Sequence, residues 1–222
     1  MAIVLISATR ASLPDFMQTT WLGASLQRLA FDPRIRAHVA FDNRAGLPLV
    51  YNAGLATCRD DDIAVFLHDD VRLDDYHLAD RLLEALRHYD VVGVAGNRRR
   101  SPGQPGWGFV NDQGQWDESF YLSGSVAHGE QGRVSHFGPT PADCELLDGL
   151  LLGARVDRLR AAGVQFDVGF DFHLYDLDFC RSCRAAGLRL GTWPLAVTHR
   201  SSGNFNSAWR AALPTYFAKW RD

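Results

Sequence analysis

The sequence predicts an α/β fold in which helices flank a mainly parallel sheet. In the first half of the chain, short apolar runs alternate with segments of helical periodicity, and this β-α-β-α order is typical of parallel sheets. The chain has 222 residues, which is long enough for one domain with a full hydrophobic core. We therefore expect a single domain over residues 1–222, with helices on both faces of the sheet.

The elements of the first half are predicted from their individual patterns. Five consecutive apolar residues at Ile63–Leu67 indicate a buried strand. Leu78, Leu82 and Leu86 fall on one face of an amphipathic helix. The predicted strands are Ala2–Ile6, Arg36–Phe41, Ile63–Leu67 and Val91–Ala95. The predicted helices are Phe16–Leu29, Pro48–Cys58 and Tyr76–His88.

The second half is less regular. From Gly96 to about Pro141 the periodic pattern is lost in a segment rich in Gly, Pro, Ser and Trp, with a strand-like Gly132–Phe137 inside it. Such a long irregular segment is uncommon in a compact domain and is often a lid or a binding loop. Regular structure is expected again in the strands Glu145–Leu152 and Arg189–Trp193, the helices Val156–Ala162 and Tyr175–Ala186, the loop Phe166–His173, and a helix from Ser207 onward.

Composition and charge argue against several classes of protein. A hydrophobic content of 46% and a charged content of 22% are ordinary for a globular protein. The formal net charge of −3 provides no broad basic surface for a nucleic acid. No apolar run approaches the ~20 residues of a membrane span. Because Ala2–Ile6 also lacks the basic leader of a signal peptide, we expect a cytoplasmic protein.

The four cysteines do not form a recognisable framework. Cys180 and Cys183 have the spacing of half a zinc site, but no second Cys/His pair lies at a matching separation. Arg181 and Ser182, which separate them, continue a helical pattern. We therefore expect buried thiols.

The most informative segment is the end of the third predicted strand, where His68, Asp69 and Asp70 follow Ile63–Leu67. Ligands of open α/β sheets bind outside the carboxyl ends of the strands. Carboxylates there suit a hard divalent cation such as Mg²⁺ or Mn²⁺, and the cation suits a phosphate. The alternative is a solvated acidic turn, which is common after a strand.

Two later segments also carry candidate functional residues. Asp176 lies at the start of a predicted helix, where a carboxylate can cap the helix or accept a proton from a hydroxyl group. Together with Asp171 and Asp178 it places three carboxylates in eight residues, which exceeds what one cap requires. His199 follows a strand-like pattern and is either a structural histidine or a metal ligand, with Arg200 and the Ser/Gly loop after it near a phosphate.

The end of the second predicted strand carries the last candidates. Asp42 and Asn43 lie where a nucleotide base could be hydrogen-bonded. In the following helix, Asn52 and Gly54 could instead serve packing alone, because Gly permits close approach.

Taken in order, these segments resemble a glycosyltransferase with the GT-A fold. The nearest resemblance is to family 2-like transferases whose strand end has the sequence Phe-Leu-His-Asp-Asp-Val. It covers most of the chain, with 96–141 as a family-variable loop region on the acceptor side. The resemblance implies a Rossmann-like enzyme that moves a sugar from a nucleotide-sugar, expected to be a UDP-sugar, to a saccharide or glycoconjugate acceptor. A lipid-linked acceptor would have to be met at the membrane surface.

The resemblance also implies roles for individual residues. Mn²⁺ or Mg²⁺ would be held by Asp70, His68 and His199, with His68 in place of the first Asp of the family's Asp-x-Asp motif. Asp176 falls where inverting members place the acidic general base, which implies inversion at the anomeric carbon. The residues implied to bind the donor are Ser7, Thr9, Arg10, Asp42, Asn43, Asn52 and Asp69.

Two other functions remain open on the same residues. A nucleotidyltransferase or a metal-dependent hydrolase would use the same acidic strand end, but the sequence contains no Walker-type loop, no Gly-x-Ser-x-Gly elbow and no His-Glu-x-x-His helix. A non-catalytic nucleotide-sugar-binding protein on a degenerate transferase fold is the second alternative, because His68 departs from the family motif.

The aromatic residues of the 96–141 region have two interpretations. They could stack on a sugar ring, or they could form a satellite core beneath the loop. The residues concerned are Trp107, Phe109, Trp116, Phe120 and Tyr121.

Overall fold

The structure is a computed structural model that describes residues 1–201, 203 and 205–221. The strands are Ile3–Ala8 (β1), Ile35–Ala40 (β2), Ile63–Leu67 (β3), Val71–Leu73 (β4), Val91–Gly93 (β5), Ala95–Asn97 (β6), Leu122–His128 (β7), Arg133–Gly138 (β8), Ala142–Asp143 (β9), Leu146–Leu147 (β10), Leu151–Arg155 (β11), Leu190–Thr192 (β12) and Val197–His199 (β13). The helices are Leu13–Thr19 (α1), Trp21–Arg28 (α2), Leu47–Thr57 (α3), Leu78–His88 (α4), Val156–Ala162 (α5), Tyr175–Ala185 (α6) and Ser207–Trp220 (α7).

The strands form two sheets. The larger sheet has seven strands in the order β2-β1-β3-β11-β5-β12-β9. In it β1 pairs in parallel with β2 and β3, and β5 with β12, whereas β11 runs antiparallel between β3 and β5. The smaller sheet has the order β10-β6-β7-β13-β4, with β8 paired to β7. The expected α/β architecture is confirmed, with antiparallel strands added to the parallel ones.

Helices cover both faces of the larger sheet because alternate residues of its central strands point in opposite directions. Ile3 and Leu5 of β1 pack in one core with side chains of α1, α2 and α4. Val4 and Ile6 pack in the other core with side chains of α3, α5, α6 and α7. Every residue of β3 is buried, as expected for a strand between two helical layers.

The two sheets meet at the carboxyl end of β3. The chain leaves the larger sheet at Leu67 and enters the smaller sheet at Val71, so that His68, Asp69 and Asp70 form the connection. The β11 strand pairs with β3 and starts at this same end, where the backbone N–H of His68 donates to the carbonyl of Leu150. Side chains from both sheets therefore converge on the acidic strand end.

Three predicted elements are in fact two elements each. The predicted helix Phe16–Leu29 is broken at Thr20, whose backbone is extended and whose side chain caps α2 by accepting from the Gly23 N–H. The predicted strand Val91–Ala95 is divided between β5 and β6, and Glu145–Leu152 between β10 and β11. In both strand regions the chain crosses from one sheet to the other, and the apolar pattern continues because both sheets are buried.

The 96–141 region contains more regular structure than its composition indicates. The hairpin-like pair β7 and β8 belongs to the smaller sheet. The expected strand Gly132–Phe137 matches β8 to within one residue at each end, whereas β7 was not expected. The small and polar residues of β7 hide it from a hydrophobic pattern. The very short strands β4 and β9 were not expected either. The expectation of an irregular segment holds best for residues 98–121, which carry only an isolated bridge between Phe109 and Trp116.

Asp178 fixes the C-terminal helix α7 to α6. Its buried carboxylate accepts hydrogen bonds from Lys219 Nζ and Trp220 Nε1, each at 2.9 Å. We expect Asp178→Ala to lower the free energy of unfolding by about 2–3 kcal/mol, because hydrogen bonds to a buried charged group are lost. Urea denaturation checks this. Asp167→Ala is the matched control, since Asp167 also bonds Lys219 but is 38% exposed and should cost under about 1 kcal/mol. Equal losses would contradict the anchoring role.

The described cysteines are all free and buried, so the prediction of buried thiols is confirmed. Within the described residues, no helix combines the length and apolar character that a membrane span requires.

Candidate active site

The three residues proposed as metal ligands lie together where the sheets meet. His68 and Asp70 lie between β3 and β4, and His199 ends β13, which pairs with β4. One ligand atom from each of the three residues lies within 4.8 Å of the others. Asp70 Oδ1 is 3.2 Å from His199 Nε2. One carboxylate and two imidazoles at this spacing fit a divalent metal ion.

Interactions within this cluster keep Asp70 ionised. Burial alone would raise the pKa of Asp70, but the hydrogen bond and the charge of His199 lower it to about 2. Burial lowers the pKa of His199, and the interactions with Asp70 outweigh burial and raise it above its ordinary value. Burial also lowers the pKa of His68, and this effect exceeds the opposing one of Asp70. His68 is therefore a neutral imidazole near pH 7.

A hydrogen-bonded relay fixes the tautomer of His68. The hydroxyl of Tyr175 donates its only proton to the carbonyl of Gly149 at 3.0 Å. Tyr175 Oη also lies 2.9 Å from His68 Nε2, so this nitrogen must carry the proton and donate it. The lone pair of the neutral ring is then on Nδ1. The ring of Phe172 stacks on His68 with centroids 5.7 Å apart.

Asp176 is the second residue of α6 and lies close to this relay. Its Oδ2 accepts a hydrogen bond from the backbone N–H of Gly149 at 3.0 Å. Burial, and to a smaller extent the negative charge of Asp148, raise the pKa of Asp176 to about 7. A carboxylate with this pKa can accept a proton at neutral pH, as a general base must.

Gly149 must be a glycine for this arrangement to form. A Cβ atom at this position would lie 2.6 Å from Tyr175 Oη and 2.7 Å from the Cβ of Asp176. Because both distances are shorter than real contacts, a side chain here would displace α6 from the turn.

A cavity of about 450 Å³ opens onto these groups. Its polar lining includes His68, Asp148, Asp176 and His199. Its aromatic walls include Trp107, Phe109, Trp116, Phe137, Phe172 and Phe205. A cavity that is mainly apolar, with a few convergent polar groups, is typical of a site for a small molecule or a sugar.

The two interpretations of the aromatic residues are compatible for three of them. Trp107, Phe109 and Trp116 line the cavity and also pack on one another and on Phe137, with Trp116 and Phe137 stacked at 5.7 Å. They form a satellite core whose inner surface is a cavity wall. Phe120 and Tyr121 lie outside the cavity lining, where they pack on each other and face Arg98 and Arg99.

Most of the residues expected to bind the donor lie at the carboxyl ends of β1 and β2 in the larger sheet, outside the aromatic cavity. Ser7 is in β1, and Thr9 and Arg10 follow that strand, while Asp42 and Asn43 follow the adjacent β2. The backbone N–H of Asn43 donates to the carbonyl of Thr9, which ties the two loops together. Ser7 Oγ is buried and has no hydrogen-bond partner among the described residues, as a polar atom awaiting a ligand would be.

Two of the expected donor residues have side chains that are already engaged. Asn52 bonds the backbone of Phe166 through both ends of its amide, at 2.8 and 3.0 Å, and so holds the 166–173 loop on α3. These bonds give Asn52 a structural role, and its contact with a donor stays a prediction. The amide of Asn43 bonds the backbone of Ala45 and shapes the turn into α3.

Asp69 is half-buried in the connection between the sheets, and its carbonyl accepts from the Leu22 N–H.

The loop after His199 is only partly described. The backbone N–H of Arg200 donates to the carbonyl of Asp70, and Ser201 Oγ lies 3.1 Å from His199 Nε2. Ser202 and Asn204, which belong to the predicted phosphate loop, lie outside the described residues.

Asp148 is the main site residue that the sequence did not indicate. It lies in the turn between β10 and β11, where it accepts hydrogen bonds from Trp107 Nε1 at 2.7 Å and from the Leu150 N–H at 2.9 Å. Asp148 thus links Trp107 of the aromatic wall to the turn that lies beside Asp176. The Asp148-Gly149 pair is a turn pattern, and it could have divided the predicted strand Glu145–Leu152 at this point.

Comparisons with known proteins address the fold. No protein-family model matches the sequence, and no curated protein matches it either. Among solved structures, A197 from STIV matches with a TM-score of 0.50 and 14% identity over 91% of this chain and 87% of that one. Residues 1–349 of S. aureus TarS, a glycosyltransferase, match with a TM-score of 0.51 and 11% identity over 90% of this chain and 60% of that one. The chain has a glycosyltransferase-like fold.

A third similar structure is the catalytic domain of Drosophila β1,4-galactosyltransferase 7 in complex with xylobiose. It matches with a TM-score of 0.47 and 13% identity over 96% of this chain and 79% of that one. At the sequence identities of the other two structures, similarity establishes the fold and leaves the function to the residues of the site.

Proposed function

We propose that the protein is an inverting glycosyltransferase that moves a sugar from a nucleotide-sugar, expected to be a UDP-sugar, to an acceptor hydroxyl. One observation carries the proposal. Asp176, a carboxyl group whose pKa is raised to about 7, lines the same aromatic cavity as His68 and His199 of the candidate metal cluster. This reaction requires a general base, a divalent-metal site and an apolar pocket for the sugar. The three lie beside the carboxyl ends of β1, β2 and β3, where the donor is expected to bind.

The donor would bind along the edge formed by β1, β2 and β3. Ser7, Thr9 and Asp42 would contact the nucleoside, with the backbone of Asn43 keeping the two loops together. Arg10 is exposed and has no partner among the described residues, so its guanidinium is available to a phosphate. Asp69 would contact the donor beside the metal.

The metal would be held by His68, Asp70 and His199. When bound, it supplies positive charge that stabilises the departing nucleoside diphosphate. The ionised Asp70 would provide the main negative charge for the cation. The relay through Tyr175 and Gly149 orients the His68 ring.

The acceptor would occupy the aromatic cavity. Trp107 and Trp116, from the 96–141 region, present ring faces on which a sugar can stack, and this agrees with our assignment of the region as an acceptor-side insert in one domain. His128 also lines the cavity, and its buried Nδ1 has no partner among the described residues. It could bond an acceptor hydroxyl.

Asp176 would remove the proton of the attacking hydroxyl. The Gly149 N–H holds Oδ2 and so fixes the position of the carboxylate that would accept the proton. The hydroxyl oxygen then forms the new bond to the anomeric carbon as the bond to the diphosphate breaks on the opposite face. A single base used in this way gives inversion.

The proposal is tested by incubating the protein with a panel of nucleotide-sugars, Mn²⁺ and oligosaccharide acceptors. We expect release of nucleoside diphosphate that depends on the acceptor, and a product whose anomeric configuration by NMR is inverted. Retained configuration would contradict the single-base assignment. Full-rate release of free sugar without an acceptor would indicate a hydrolase, and tight donor binding without turnover would indicate a binding protein.

The charge of Asp148 provides a pH test of the base. Since Asp176 works only when deprotonated and has a pKa of about 7, the transfer rate should fall as the pH drops through 7. Asp148 raises the pKa of Asp176, so Asp148→Asn should shift this acidic limb of the kcat/KM profile to lower pH. A profile that keeps its position in Asp148→Asn would contradict this coupling. Asp143→Asn, an exposed carboxylate in β9, is the control and should leave the limb in place.

A further inference from the structure

We propose that the site formed by His68, Asp70 and His199 selects late transition metals such as Zn²⁺ and Co²⁺ over Mg²⁺. This selectivity narrows the cofactor of the proposed transferase, and its relevance to sugar transfer rests on that proposed function. The binding preference itself rests on the three side chains.

The ligand set is the first argument. Mg²⁺ prefers six oxygen ligands in octahedral geometry, whereas imidazole nitrogens suit Zn²⁺, Co²⁺ and their neighbours in the first transition row. Among the described residues, the cluster contains one carboxylate and two imidazoles, and no second carboxylate joins it. An Asp at position 68 would have given the oxygen-rich set that suits Mg²⁺. His68 changes the class of metal that the site can favour.

The distance between two of the ligands is the second argument. His199 Nε2 and Asp70 Oδ1 are 3.2 Å apart. Two ligands bound to one ion at about 2.0–2.2 Å lie about 2.8–3.6 Å apart at octahedral to tetrahedral angles. The pair is therefore already at the separation that a shared ion requires, and little rearrangement of β4 and β13 is needed.

The surroundings of His68 are the third argument. A metal-bound histidine almost always donates its other ring N–H to an oxygen, which fixes the tautomer and makes the ring a better ligand. His68 has this partner in Tyr175, whose hydroxyl is in turn held by the carbonyl of Gly149. Nδ1 is left with a free lone pair. A histidine that served only packing would not need a buried relay of two hydrogen bonds behind it.

The test is calorimetric titration of the chelator-treated full chain with Zn²⁺, Co²⁺, Mn²⁺ and Mg²⁺, without nucleotide. We expect Zn²⁺ and Co²⁺ to bind at least about 100-fold more tightly than Mg²⁺. The affinity for Mn²⁺ should lie between that for Mg²⁺ and that for Co²⁺, which is the usual order of metal affinities at sites with nitrogen ligands. The visible absorption of bound Co²⁺ should show nitrogen coordination. Equal affinity for Mg²⁺ and Co²⁺, or binding of none of the four ions, would overturn the proposal.

Variants distinguish this selectivity from a general affinity for metals. His68→Asp should reduce the ratio of Co²⁺ to Mg²⁺ affinity at least about tenfold, because one nitrogen is exchanged for oxygen. His199→Asp makes the same exchange and serves if His68→Asp does not fold. The matched control is His136→Asp, an exposed residue of β8 that bonds Ser125, and it should leave the ratio unchanged. An unchanged ratio in both site variants would overturn the proposal.

The outcomes separate this proposal from the transferase proposal. Metal binding with the expected selectivity, but without nucleotide binding or transfer, would leave the metal site standing and refute the transferase. Binding of none of the four ions, together with transfer that proceeds at full rate in chelator, would refute the metal site and leave the transferase standing.

Discussion

Asp176→Asn is expected to slow sugar transfer by about 10²- to 10⁴-fold, which is the usual contribution of a general base. The Asn amide can still accept the hydrogen bond of the Gly149 N–H, so the start of α6 should keep its geometry. Metal-dependent binding of UDP should be unchanged, because Asp176 is outside the metal cluster. The measurement is steady-state transfer with calorimetry of UDP on the same protein.

The control for this variant is Asp171→Asn, which removes an exposed carboxylate from the neighbouring loop. It should leave the rate within about twofold, because the side chain does not line the cavity. If Asp176→Asn kept its full rate, another group would have to be the base, and the assignment would be abandoned.

The same variant is expected to stabilise the fold at alkaline pH. Burial and the charge of Asp148 raise the pKa of Asp176 to about 7 in the folded state, against about 3.9 in an unfolded chain. The folded protein thus binds this proton more tightly, and the group's contribution to stability falls as the pH rises from about 4 to 7. Asp176→Asn should recover up to about 4 kcal/mol at pH 8 and much less at pH 5, by urea denaturation.

Asp70→Asn is expected to weaken metal binding at least about 100-fold and to abolish the metal-dependent part of UDP binding. Asp70 is the only carboxylate of the cluster among the described residues, and its pKa of about 2 means that it carries a full charge at neutral pH. Removing that charge leaves two neutral or positively charged imidazoles, which hold a cation poorly. Calorimetry of UDP with and without Mn²⁺ measures the loss.

Folding and specificity are controlled in the same experiment. The Asn oxygen can still accept a hydrogen bond from His199 Nε2, so the pairing of β4 and β13 should persist. Asp112→Asn, an exposed carboxylate in the 98–121 segment, should bind metal and UDP as the unchanged protein does. If Asp70→Asn binds UDP with the same dependence on Mn²⁺, the metal is held elsewhere.

The sequence predicts the parts of the fold that follow one rule over several residues. The bounds of the strand Ile63–Leu67 were predicted correctly because five consecutive apolar residues indicate a buried strand. The bounds of the helix Val156–Ala162 were predicted correctly because its apolar residues have a clear helical period. The divisions within 91–97 and 145–155 are not predictable in this way. There the chain passes between two buried sheets, and nothing in an apolar run records which sheet each residue joins.

The sequence indicated which three residues form the candidate metal cluster, but not the geometry of the cavity beside it. His68, Asp70 and His199 are far apart in the chain, and their order along a resembling family placed them together before any distance was known. Asp148 was missed because its importance comes from its partners, the indole of Trp107 and the charge of Asp176. No local pattern encodes such partners, which are set by the tertiary fold. The bonds of Asn52 were not predictable for the same reason, because its partner is the backbone of Phe166.

Gly149 gives the site a mechanical property that neither of its halves has alone. Its N–H holds the carboxylate of Asp176, and its carbonyl holds the hydroxyl that orients His68. The positions of the proposed base and of the proposed metal ligand therefore both depend on the backbone of this one residue. A distortion of this turn would shift both together and preserve their spacing, so that the separation between attacking and departing atoms is protected by a residue without a side chain.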